Sequence, residues 1–236
     1  MTEKLNLSFE KNIHSLENIY KKYGLELSSE ELEYLRTAFD GIINLWLEQI
    51  DKIDTIHAIL IAEAPLWNSD GTNSYFYNAN SKFTQFFYKS DLEFVLQRLD
   101  QKKIAIVDKA DFINICNEIG LVLLDVSPFP LNGNDTQLNY GKTNKGKSLK
   151  ISSKLYKQLI EDTLESYFLP KLNHISPKCT SNTCTILYRY KRVENQFHPL
   201  LKEHLLQYFT DINVFTIGQQ GGGINRNELL KAIKNK

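Results

Sequence analysis

Up to residue 51 the apolar positions recur at three- and four-residue steps. Leu32, Leu35, Phe39, Ile42, Ile43, Trp46 and Ile50 form one continuous stripe, which predicts a helix with a buried face. Ser28 and Glu31 make a capping box that starts it. From residue 52 the pattern changes to short apolar or β-prone runs alternating with amphipathic segments. The runs at 57–62, 121–126, 183–190 and 213–217 are nearly continuous, as expected of strands buried on both faces. Helical spacing between and after them predicts helices near 82–99, 110–119, 153–168, 196–208 and 227–233, the first with a second capping-box signal at Ser90 and Glu93. This alternation predicts an α/β fold: a three-layer αβα domain over residues 52–236 with a central, mostly parallel four-stranded sheet, preceded by an N-terminal helical extension over residues 1–51. In open sheets of this kind ligands bind at the carboxyl ends of the strands, so the loops that follow the four strands carry the functional search.

Composition narrows the function classes. With 42% hydrophobic and 24% charged residues in 236, the disordered, collagen and coiled-coil classes are excluded. Lys plus Arg and Asp plus Glu both number 28, so nucleic-acid binding cannot rest on global charge and must come from local patches. Residues 1–51 hold ten acidic and five basic residues, and their outward face should repel polyanions. Between Asn134 and Gln158, by contrast, six lysines (Lys142, Lys145, Lys147, Lys150, Lys154 and Lys157) face one acid, and between Lys171 and Arg192 there are five basic residues and no acid. No apolar run approaches the ~20 residues of a membrane helix, and residues 1–9 lack the apolar stretch of a signal peptide. The expectation is a cytoplasmic protein with no membrane partner. Three cysteines are too few for a disulfide framework and read as reduced thiols. The spacing of His174, Cys179, Cys184 and His198 matches no paired-ligand knuckle, so no metal is expected.

The loop after the first strand reads Ala62-Glu63-Ala64-Pro65-Leu66-Trp67, followed after a polar turn by Tyr75-Phe76-Tyr77-Asn78-Ala79-Asn80-Ser81-Lys82-Phe83. A carboxylate at a strand's carboxyl end, beside a rigid proline and an aromatic cluster, has the parts of a base-binding pocket: rings to stack and an acid for chemistry. The same residues also suit a core with one exposed acid. Residues 131–150 are polar and rich in Gly, Asn and Lys, a rim segment or a solvated loop. After the last strand runs Gly218-Gln219-Gln220-Gly221-Gly222-Gly223-Ile224-Asn225-Arg226, where consecutive glycines before a helix can aim N–H groups at a phosphate, with Arg226 alongside. It is neither a Walker loop, lacking Gly-Lys-Ser/Thr, nor a dinucleotide fingerprint, lacking a following βαβ unit. Tyr140, Tyr188 and Tyr190 are aromatic neighbours of the basic segments, placed to stack on exposed bases.

The order of these parts, AEAP ending a strand, YFYNANSKF entering a helix and LVLLDVSPFPLN closing the next strand, resembles the uracil-DNA glycosylase superfamily, most closely its hypoxanthine-DNA-glycosylase-like branch. The motifs cover residues 56–132, and element order extends the resemblance beyond them. The resemblance implies a protein of DNA repair that binds DNA, flips one base out of the stack and, if catalytic, hydrolyses its N-glycosidic bond without a metal or organic cofactor. It implies that Glu63 positions or activates water, with Asn78 or Asn80 standing in for an Asn that falls on Ser81. Phe76 and Tyr77 would stack on the base, and Asp125 would either read its N–H groups or cap the following turn. Gly221, Gly222, Gly223 and Arg226, with Lys142, Lys145 and Lys147, would bind phosphate. Four features depart from the superfamily: Ala62 replaces the first glycine of the turn, the last glycine is Leu66 or lost, Ala64 stands where other branches carry a catalytic Asp or Asn, and the last loop has no histidine. These departures leave open a non-catalytic module for a nucleotide, modified base or protein partner on the same fold.

Overall fold

The computed structural model describes residues 5, 7–69, 74–81, 89–100, 105–141, 148–179, 183–216 and 224–234. The two N-terminal helices are α1 (Phe9–Lys22) and α2 (Ser29–Ile50). The capping box forms as expected: the Ser28 Oγ accepts the Glu31 N–H at 3.2 Å and the Glu31 carboxylate accepts the Ser28 N–H at 3.5 Å. The four expected strands are present as β1 (Ala58–Ala62), β2 (Leu121–Asp125), β5 (Thr183–Tyr188) and β6 (Asp211–Thr216), ordered β2-β1-β5-β6 in an all-parallel sheet flanked by helices. β1 pairs with β5 from Ala58↔Thr185 to Ile61↔Tyr188, and β5 with β6 from Thr183↔Asp211 to Tyr188↔Thr216. The α/β class is therefore the one the sequence predicts.

Two segments differ from their sequence reading. The polar run 131–150 holds a two-stranded parallel sheet, β3 (Leu138–Asn139) with β4 (Leu149–Lys150), whose residues Leu138 and Asn139 are buried. The helix expected at 153–168 runs on as α5 (Ser153–Thr163), a π-helical turn (Leu164–Phe168) and α6 (Leu169–Ile175). Pro170 has no N–H to give the Ser166 carbonyl, so the regular ladder fails there, and the Leu169 N–H reaches back to the Leu164 carbonyl.

The chain forms two compact units, one of residues Met1–Trp46, Glu63–Tyr75 and Asp125–His174, the other of Leu47–Ala62, Phe76–Leu124 and Ile175–Lys236. In the first, the N-terminal helices share a core with later segments. Phe9 meets Phe39 and Phe129 edge-on with centroids 5.7 and 6.1 Å away, and Phe39 packs on Tyr167 at 6.1 Å. The Trp67 ring lies against Gly41, where any Cβ would collide with it. The second unit contains the sheet, with α3 (Lys89–Asp100), α4 (Lys109–Glu118), α7 (Lys191–Tyr208) and α8 (Arg226–Lys234). Successive residues of β1 and β2 are buried, which is why their sequences show no alternation. No helix among the described residues is long and apolar enough to cross a membrane.

The turn from α4 into β2 depends on Gly120. Its φ is +66°, its carbonyl accepts the N–H groups of His57 and Ala58 at 2.8 and 3.2 Å, and an added Cβ would strike the Thr55 carbonyl. Gly24, with φ +67°, opens into free space. Gly24→Ala should therefore lose about 1 kcal/mol, the left-handed strain alone, and Gly120→Ala at least about twice that, measured by urea unfolding. Equal losses would contradict the close approach at Gly120.

Candidate nucleobase site and its buried charges

In the first unit the chain leaves β1 at Glu63 and leaves β2 after Asp125, and the two exits are joined. The Ser127 N–H donates to the Glu63 carbonyl at 3.1 Å, and the Tyr156 hydroxyl donates to the same oxygen at 3.2 Å. Tyr156 stacks on Tyr140 with centroids 4.3 Å apart and planes at 30°. The Tyr140 hydroxyl lies 2.6 Å from the Ser127 Oγ and donates to the Phe129 carbonyl at 3.1 Å. Burial pushes this hydroxyl far above the usual tyrosine range; Ser127 works against the shift and the Glu63 carboxylate adds to it. Glu63 and Tyr140 are both half-buried, so a carboxylate and a ring are within reach of solvent in one place.

The rest of the post-β1 loop is pinned. Pro65 is buried and Leu66 is 59% exposed. The Trp67 carbonyl accepts the Tyr34 hydroxyl at 2.8 Å and the Asn132 side chain at 3.2 Å. Asp135 accepts from Asn132 at 2.9 Å and from the Ser69 hydroxyl. An open groove of about 830 Å³ lies in this unit, lined by Glu26, Glu30, Glu31, Tyr34, Ser69 and Asp135 among others, and its acidic lining does not suit a polyanion.

Asp125 does not face solvent. It is 2% exposed, its Oδ2 has no hydrogen-bond partner, and it does not serve as the turn cap that the sequence left open. Its electrostatic partner is Lys171, itself 0% exposed. The Lys171 ammonium donates to the Tyr167 hydroxyl at 3.2 Å and lies over the rings of Trp46 and Tyr167, 4.8 and 4.5 Å from their centroids. Burial raises the Asp125 carboxyl and lowers the Lys171 amine, and each partly offsets the other. A carboxylate so enclosed is not placed to read a base edge. Lys171 was legible as an anomaly, because it continues the buried stripe of Leu164, Phe168, Leu172 and Ile175.

The other expected aromatics lie in the second unit and belong to its core. Phe76 is 5% exposed and meets Tyr77 and Phe112 edge-on at 4.8 and 5.4 Å. Tyr77 is fully buried and its hydroxyl accepts the Leu123 N–H at 2.8 Å. Neither ring offers a face to a base, which corrects the stacking role expected of them: an aromatic pair reads the same in sequence whether it lines a pocket or fills a core. Asn78 is half-buried and Asn80 exposed, and the Asn78 side chain accepts the Asn80 N–H at 3.1 Å, closing the turn that carries both. The turn ends at Ser81, whose Oγ donates to the Asn78 carbonyl at 2.8 Å and accepts from Lys109 at 3.3 Å.

Lys109 was not singled out in the sequence, yet it is 1% exposed, and desolvation lowers its amine to about 7. Its signal is a lysine in the first turn of a helix, against the helix dipole. Arg226, expected at an anion site, opens α8 with its guanidinium 4.2 Å from the centre of the Phe94 ring, and Asp91 beside it accepts the Ile224 N–H at 2.9 Å. Asn225 caps this helix, its side-chain oxygen accepting the Glu228 N–H at 3.4 Å. Gly221, Gly222, Gly223, Lys142, Lys145 and Lys147 lie outside the described residues. Among the described residues no cluster of three or more His, Cys, Asp or Glu is placed to hold a metal.

Two outcomes follow from the buried charges. Lys171→Met alone should cost about 3–5 kcal/mol by stranding Asp125, whereas Asp125→Val with Lys171→Met should recover most of that loss in a double-mutant cycle; additive losses would show that the two groups are independent. For Lys109 the folded pKa lies below the unfolded value near 10.5, so the stability it contributes is fully present above that value and is lost as pH falls toward 7. Wild-type stability relative to Lys109→Met should therefore rise from pH 7 to 10 in denaturant titrations, and a constant difference would contradict a buried neutral amine. Comparison with protein-family models, with curated proteins and with solved structures finds no match to this chain.

Proposed function

We propose that this chain is a uracil-DNA-glycosylase-like DNA-binding protein that receives one extruded base beside Glu63, against the half-buried ring of Tyr140. The observation that supports it is the Ser127 N–H to Glu63 carbonyl bond, which sets a carboxylate and a stacked tyrosine pair where the chain leaves two neighbouring parallel strands. Tyr140 replaces Phe76 and Tyr77 as the stacking ring, and the energy of stacking offsets the few kcal/mol of unstacking the base. In the reaction, water attacks the sugar carbon as the N-glycosidic bond breaks and the base departs with the bonding pair. Glu63 orients that water and takes its proton. The lysines of the rim grip the flanking phosphates.

A second reading, a non-catalytic module for a modified base or nucleotide, is favoured by the burial of Asp125, Phe76 and Tyr77, which removes three of the expected base contacts. Labelled oligonucleotides carrying uracil, hypoxanthine or xanthine, treated with alkali after incubation, separate the two. Alkali-labile breaks that fall by about 100-fold or more in Glu63→Gln support the enzyme; binding that weakens in Tyr140→Ala without any breaks supports the module. Affinity that is unmeasurable, or flat with added salt, removes DNA from both readings.

A further inference from the structure

A second reactive pair lies in the sheet-containing unit, on residues that the base-binding reading does not use together. Ser81 ends the Asn78 turn and is half-buried, while Lys109 reaches it from the first turn of α4 and is itself enclosed. The Nζ to Oγ separation is 3.3 Å. The Phe112 ring lies 5.9 Å from the amine, and Phe76 packs against Phe112 behind it. The Cys116 thiol, buried on the same helix and pushed up out of its ordinary range, acts on Lys109. A half-buried hydroxyl bonded to a desolvated amine is an arrangement that makes a serine nucleophilic, because desolvation favours the neutral amine, which can accept a proton.

We propose that Ser81 and Lys109 form a serine–lysine dyad that attacks the carbonyl carbon of a carboxylic ester or amide. This inference is independent of the base-binding reading. In the resting arrangement the Ser81 proton points at the Asn78 carbonyl, 2.8 Å away, and rotation about the Cβ–Oγ bond delivers it to the Lys109 lone pair. As Oγ bonds to the carbonyl carbon, that proton passes to Nζ. The tetrahedral adduct then expels the alcohol or amine, which takes the proton from Nζ. Water next gives a proton to Nζ and attacks the acyl-Ser81 carbonyl, and Oγ leaves with the proton returned, restoring the free dyad. Ser81 is the catalytic residue that touches substrate, and Lys109 serves it as general base.

The test is covalent labelling of the full chain with a fluorophosphonate, followed by intact mass and peptide mapping. One adduct on Ser81 is expected, absent in Ser81→Ala. Its rate should fall at least 100-fold in Lys109→Met and in Lys109→Arg, whose guanidinium stays protonated, with the fold checked by circular dichroism. Should both lysine variants unfold, the wild-type pH profile decides: the labelling rate should climb through about pH 7, following the amine. A lysine that only braced the Asn78 turn would leave that profile unmoved. No adduct on Ser81, equal rates in folded Lys109 variants, or a flat profile from pH 6 to 8 would each overturn the proposal.

Discussion

Where parallel strands end and their chains diverge, backbone groups that no longer have a ladder partner must find another. At the exits of β1 and β2 the Glu63 carbonyl meets this demand by accepting both the Ser127 N–H and the Tyr156 hydroxyl. The rest of the candidate site follows from that junction. It fixes the backbone from which the Glu63 carboxylate projects, and it brings Ser127 within reach of Tyr140 and Tyr156 against Tyr140. The loop beyond cannot drift, because the Trp67 carbonyl is held by Tyr34 and Asn132 while its ring sits on Gly41. A site of this kind is preorganised by hydrogen bonds that have nothing to do with its ligand.

The same unit stores charge in its core. Asp125 and Lys171 are both enclosed, with one carboxylate oxygen unpaired and the ammonium facing rings and a single hydroxyl. Such a pair adds little net stability, since desolvating two ions consumes most of their attraction, but losing either partner is costly. The π turn at Leu164–Phe168 precedes Lys171 and carries Tyr167, so the helix irregularity sits where the buried ammonium finds its one hydroxyl acceptor. Lys109 shows the other outcome of burial. Desolvation drives its amine toward the neutral form.

The sheet was legible because β1 and β2 are buried on both faces and leave continuous apolar runs in sequence. The Ser28–Glu31 capping box and the helix stripes were legible through side chains whose spacing has few other meanings, whereas the Ser90–Glu93 signal was not a cap: Ser90 lies inside α3 and Glu93 accepts the Ile106 N–H. β3 and β4 were not legible, because two-residue strands carry no period. Pro170 offered the one warning of the π turn. Glu63 was expected just past the carboxyl end of a strand, and it lies there, directly after β1. Phe76, Tyr77 and Asp125 were misplaced for a shared reason: aromatic and acidic residues near a strand end have the composition of a pocket, while burial, which decides the matter, is a property of the packed chain. Lys109 and Lys171 were overlooked although both interrupt a local rule, one the helix dipole and the other an apolar stripe.

The central claim is that Glu63, Ser127 and Tyr140 together receive a base. The most direct measurement is a nitrogen-labelled amide NMR titration with single-stranded oligonucleotides that differ only in carrying uracil, hypoxanthine or a normal base. The account predicts that the amide signals of all three residues shift along one saturation curve for at least one altered base, with smaller shifts for the normal one. Saturable shifts that spare all three residues, or that do not distinguish the bases, would contradict it.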